Sequence, residues 1–181
     1  MSSTATQQVT IPAGTWVLDP VHSSIGFEVL YMGVAPFQGA FREVAATLDA
    51  EGLSGTAQVA SVDVDNADLA AHLAAPDFFD AANHPEIRIE ARELGRSGDE
   101  VTFSGTLEVK GNRAPLTLTG TITDPVEDPW GNSKLGLTLA GSVDRNDVGL
   151  TWNAPLPGGG QMLADEVQLT GRLVFVGTTE A

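Results

Sequence analysis

The chain has 181 residues, 42% hydrophobic and 18% charged, which fits one compact domain with room for a substantial core. Nine lysines and arginines against 24 acids leave a net charge of −15, a surface that repels both nucleic-acid phosphates and anionic membrane faces. Cysteine is absent, which excludes disulfide frameworks, zinc–cysteine sites and thiol catalysis.

Residues 1–12 are polar and aperiodic and predict a mobile tail, leaving 13–178 as a single domain. The N-terminus has no basic stretch followed by an apolar run, and no window approaches the ~20 apolar residues of a membrane span. A cytoplasmic protein without stable membrane insertion is expected. A short opening strand is predicted over 15–18, followed by "SIGFEVLY", where Ile25, Phe27, Val29 and Tyr31 alternate with polar or small residues. Asp19, His22 and Ser23 precede it. Neighbours on an extended segment point to opposite faces, and no G-x-S-x-G elbow supplies an oxyanion hole, so the trio is expected to tie a corner rather than catalyse.

Strands are then predicted over 39–50 and 55–65, joined by "EGLS". The Ala-rich stretch from Asp65 to Pro85 breaks the two-residue period. Leu69, His72 and Leu73 recur at helical spacing, Asn66 or Asp65 offers a cap and Pro76 a stop, which predicts one short helix over 67–74. His72 is placed on that helix's surface, and His84 anchors the loop before Pro85. Phe78 and Phe79 either cap the core beneath the helix or line a barrel mouth.

Further strands are predicted over 86–95, 101–110, 114–123, 134–145 and 165–177. Eight long antiparallel strands, each with one apolar and one polar face, close most simply into an elongated β-barrel, an all-β fold that removes its own edges. Gly39, Gly105, Gly120, Gly141 and Gly171 fall in phase with the apolar residues. They either leave lumen volume unfilled or mark bends and bulges. "LTWNAPLPGGGQML" reads as a mobile loop gating the lumen. The three histidines show no spacing that sets metal ligands on one helical face, and neither a metal nor another cofactor is expected.

Taken in order, "WVLDPVHSSIGFEV", the Gly39–Phe41 triplet, "APDFFDAANHPEIRIEA", "FSGTLEVKG" and "DRNDVGL" resemble the YceI-like family, the polyisoprenoid-binding, lipocalin-like barrels of bacteria, over about residues 14–177. The resemblance implies a lumen that takes a long isoprenoid chain or another amphiphilic lipid, without catalysis. Many members are exported to the periplasm, from which this chain is expected to depart because its N-terminus does not read as a signal peptide, and some form homodimers. Strand phase nominates Ile25, Phe27, Val29, Phe41, Phe103, Leu107, Leu137 and Leu169 as lumen-lining, and the mouth adds Phe78, Phe79, Trp152, Leu156 and Met162. His22 and Arg145 are candidates for a lipid head group, Arg145 having a surface ion pair as its plainer role. Two other readings remain open: an enzyme acting on a bound apolar molecule, with His22 or Asp147 as acid or base, and a packed stress-response or interaction module that binds nothing.

Overall fold

The structure, a computed structural model, describes residues 11–178. The strands are β1 (Trp16–Leu18), β2 (Ser24–Tyr31), β3 (Ala35–Phe41), β4 (Val44–Asp49), β5 (Gly52–Gln58) and β6 (Val62–Asp63). The helix α1 (Ala67–Ala74) follows, then β7 (Glu86–Ser97), β8 (Glu100–Val109), β9 (Asn112–Ile122), β10 (Val126–Glu127), β11 (Ser133–Asp144) and β12 (Leu163–Gly177). Six of the short strands are halves of three longer ones. β1 and β2 lie end to end along β12, β1 against 175–177 and β2 against 163–172. β3 with β4, and β5 with β6, are broken in the same way, so that β2 pairs β3 while β1 pairs β4. Counted as continuous strands, eight antiparallel members form the ring, which closes where β11 pairs β12 from Lys134↔Val176 to Asp144↔Glu166.

The break between β1 and β2 is the corner that Asp19, His22 and Ser23 build. The Asp19 amide donates to the Val174 carbonyl at 2.8 Å, and Ser23 Oγ accepts from the Val174 amide at 2.9 Å. Both contacts hold the Pro20 segment against β12 through the bend. Ile11 is buried, and the Pro12 carbonyl accepts from the Trp16 indole at 2.9 Å. The folded domain therefore reaches back past the 12/13 boundary expected from sequence, because Trp16 needs an acceptor where it packs. The expectation of a mobile tail over 1–10 lies outside the described residues.

α1 occupies the predicted span, with Asn66 Oδ1 accepting the Leu69 amide at 2.9 Å. It sits at the same end of the barrel as the β2–β3 turn and the 145–162 connection; we call this end the mouth. At the opposite end, Trp16, Leu48, Phe103, Ile122, Leu135, Leu137 and Phe175 are packed out of solvent. Side chains of this size contribute about 1.5–3 kcal/mol each when fully buried, so this floor is a main source of stability.

The in-phase glycines divide. A Cβ on Gly105 would collide with the Glu90 carbonyl oxygen, and one on Gly120 with the Thr138 carbonyl oxygen. Gly105 faces the point where β7 bulges between Glu90 and Glu93, which presses the β7 backbone into the barrel. Gly39 and Gly141 are likewise filled by neighbours, and only Gly171 faces open lumen.

Candidate ligand-binding cavity

The mouth half of the barrel is hollow. A cavity of about 510 Å³ lies above the packed floor, within the ~300–1,000 Å³ range of small-molecule sites. The alternation of β2 and β12 aims Ile25, Phe27, Val29 and Leu169 at it, with Phe41 from β3 and Leu107 from β8. Phe78 and Phe79 come from the turn after α1, which is held by the Phe79 amide on the Leu73 carbonyl at 2.9 Å. Trp152 and Met162 come from the 149–162 connection. Phe41 stacks edge-on against Phe79 at 6.0 Å, tying β3 to the helical cover.

Five residues nominated from sequence are not on this wall. Phe103 and Leu137 point inward as their phase required, but they lie lower in the barrel, within the floor. Leu156 turns the tip of the 149–162 connection, its amide donating to the Gly160 carbonyl at 3.0 Å. His22 sits on the barrel flank, largely exposed, with Nδ1 2.7 Å from Asp19 Oδ2. Asp147, the other acid–base candidate, is also off the wall.

His72 was expected on the helix surface and instead faces the cavity. Its ring meets Trp152 at 4.9 Å and Phe78 at 5.3 Å, both edge-on. The signal was present in the sequence, because Leu69, His72 and Leu73 share one helical face and the two leucines had to point inward. These aromatic contacts join the helical cover to the loop across the mouth. Tyr31 and Phe37, at the β2–β3 hairpin, complete that side.

Arg145 is buried, with 3% of its surface exposed, and it borders the cavity. Its Nε donates to the Ala164 carbonyl at 2.8 Å, and Nη1 donates to the Leu150 and Trp152 carbonyls at 2.5 and 2.8 Å. The carboxylate paired with it, Asp165, stands 3.9 Å from Nη2 and is itself 70% exposed. The expected surface ion pair is therefore a minor part of its role. The side chain staples the loop to β12 and brings a cation to the edge of an apolar chamber.

The loop expected to gate the lumen is braced beyond that staple. Asn153 Oδ1 accepts from the Ala154 and Leu163 amides, and Asn153 Nδ2 donates to the Leu163 carbonyl. Pro155 and Gln161 form a bridge, so the loop is a small braced hairpin whose exposed tip is the glycine run. Three carboxyls are held below their ordinary range, all of them away from the cavity wall. Asp19 is lowered chiefly by the His22 hydrogen bond, Asp63 by Arg42, and Asp128 by the Asn132 amide.

The family model for the YceI-like domain matches residues 16–175. The UPF0312 protein ECA1782 of Pectobacterium atrosepticum is 26% identical over 137 residues, covering 72% of this chain and 71% of that protein. Among solved structures, the Campylobacter jejuni YceI protein superposes with a TM-score of 0.72 at 23% identity, over 83% of this chain and 90% of the other. A polyisoprenoid binding domain from Saccharophagus degradans, implicated in plant cell wall breakdown, gives a TM-score of 0.65 at 12% identity, over 92% of this chain and all of the other.

Proposed function

The chain belongs to the YceI-like domain family, and from that premise we propose that it carries or sequesters a long apolar lipid chain, isoprenoid by preference, without chemically altering it. The observation that carries the reading is the cavity itself: about 510 Å³, walled by aliphatic and aromatic side chains from nearly every strand and closed below by a packed floor. A barrel packed along its whole length, as an interaction module would be, does not fit that geometry. The polyisoprenoid-binding character of the Saccharophagus degradans domain, which shares the fold, supports the choice of ligand class.

Burial supplies the affinity. Each CH₂ taken out of water contributes about 0.8 kcal/mol, so a long tail binds tightly even after the entropic cost of association. Selectivity then follows from cavity depth, because the floor sets where a tail must stop. In this reading the polar end of the ligand lies at the mouth, near His72 and Arg145, both of which border the cavity and carry donors for a hydroxyl or an anionic group.

Native mass spectrometry of the protein as purified, before and after organic extraction, tests the reading. One equivalent of a long-chain lipid is expected, and Leu169→Trp, which fills the lumen, is expected to lower occupancy about tenfold while the protein stays folded. A bare protein mass that is unchanged after incubation with prenyl alcohols and fatty acids overturns it.

A further inference from the structure

One sector of the mouth is unlike the rest of the surface. Residues 29–41, the end of β2, the turn and β3, contain no charged side chain, and neither do residues 149–164. The two stretches are physically joined: the Met32 amide donates to the Met162 carbonyl at 2.7 Å, and Tyr31 pairs with Leu163. At the tip of the β2–β3 hairpin, Leu30, Tyr31, Met32 and Val34 are 44%, 40%, 42% and 77% exposed. Tyr31 is at once solvent-facing and part of the cavity wall. The opposite sector of the mouth, around α1, carries Asp65, Asp68, Asp77 and Asp80 and is acidic instead.

A contiguous apolar patch on a soluble body marks an interaction surface. We propose that this uncharged rim is a docking surface for a neutral, zwitterionic lipid bilayer, with the hairpin tip seated among the head groups and the cavity mouth held against the membrane. The charge distribution selects that occupant. With a net charge of −15 and no basic residue in the rim, an anionic membrane repels the protein while a zwitterionic one does not. Tyrosine and tryptophan at the rim suit the interface, where one end of the ring is apolar and the other wet. Continuity with the cavity adds a reason for the surface: an apolar cargo passes between bilayer and lumen without crossing water. This last step rests on the lipid-carrier reading, whereas the docking surface stands on exposure and charge alone.

The test is flotation of the full chain with phosphatidylcholine vesicles, compared with vesicles in which part of that lipid is replaced by phosphatidylglycerol. Binding to the first and weaker binding to the second are expected. Val34→Glu and Leu30→Glu, both off the cavity wall, are each expected to weaken flotation about tenfold, and Val126→Glu, an equal charge at the far end of the barrel, to leave it unchanged. Uptake of a fluorescent fatty acid from free solution is expected to be the same in all four proteins, and equal circular dichroism and urea midpoints show that the variants fold. Flotation equal in wild type and Val34→Glu, or stronger on the anionic vesicles, overturns the proposal. So does a wild-type dimer that Val34→Glu dissociates, which would make the rim a contact between two copies of this chain. Flotation that follows the expected pattern in a protein that takes up no lipid keeps the docking surface and removes the carrier reading.

Discussion

Arg145 shows how much one side chain depends on what folds over it. In the sequence it stands between Asp144 and Asp147, where a solvated ion pair is the ordinary outcome. The short helical turn over 145–148 and the left-handed Gly149 reverse the chain, so that the Leu150 amide reaches the Arg145 carbonyl at 2.9 Å and the loop covers the guanidinium. Three donor hydrogens, one on Nε and two on Nη1, then meet three main-chain carbonyls, held in a planar fork that an ammonium lacks. Arg145→Lys is therefore expected to recover less than half of what Arg145→Met loses. The loss for the methionine variant is about 2–4 kcal/mol in urea unfolding, because buried carbonyls are left unpaired. A lysine variant as stable as wild type would show that only the charge matters. His72 teaches the complementary lesson. Its inward direction was legible from helical phase, but its ring partners were not, since Trp152 is 80 positions away in the chain and meets it only across the mouth.

At the scale of elements, local chemistry specified what local chemistry can. α1 runs over the predicted residues because its cap, its apolar face and its stop all lie within the helix and the two residues on either side of it. The period of two placed the inward residues of β8, β9 and β11 correctly, and Val101, Leu116 and Leu135 are all buried. The corner between β1 and β2 was legible from Asp19, His22 and Ser23, but the breaks between β3 and β4 and between β5 and β6 were not, since they are held by each other: the Arg42 amide donates to the Ser61 carbonyl and the Gln58 amide to the Glu43 carbonyl. The β7 bulge belongs to the same class. It shifts the inward face so that Leu94 comes opposite Phe103, and it makes Gly105 obligatory. Gly105→Ala is expected to cost about 1–3 kcal/mol, because the methyl group meets a main-chain carbonyl that cannot swing aside. Gly171→Ala, whose Cβ would stand 3.5 Å from the Leu173 side chain in open lumen, is expected to be neutral or mildly stabilising. Denaturant midpoints for the pair check both, and equal costs would mean that the bulge yields.

For the whole molecule the deciding feature is the division of one barrel into a solid floor and a hollow mouth. β12, at about 3.3 Å per residue, runs roughly 50 Å and passes both, with Phe175 in the floor and Leu169 on the cavity wall. Phe103→Ala is expected to destabilise the protein by about 3–5 kcal/mol without changing how much lipid it holds. Saturating lipid at a hundred times its Kd adds about 2.7 kcal/mol to the wild type. In a domain of this size that is a rise in Tm of roughly 5–10 °C, measurable by scanning calorimetry. Loss of lipid with the floor variant would mean that floor and cavity are one space.

By itself the sequence determined the all-β class, the eight-strand count, the helix and the inward side of the strands up to the β7 bulge and on those without one. Those depend on periodicity and on capping groups within a few residues of each other, which act before any distant contact forms. Only the tertiary structure decided which inward residues pack and which leave space. Phase reports direction and carries no height along the barrel axis. Height comes from register between strands distant in sequence, and that register put Phe103 and Leu137 in the floor and gathered His72, Trp152 and Arg145 at the mouth.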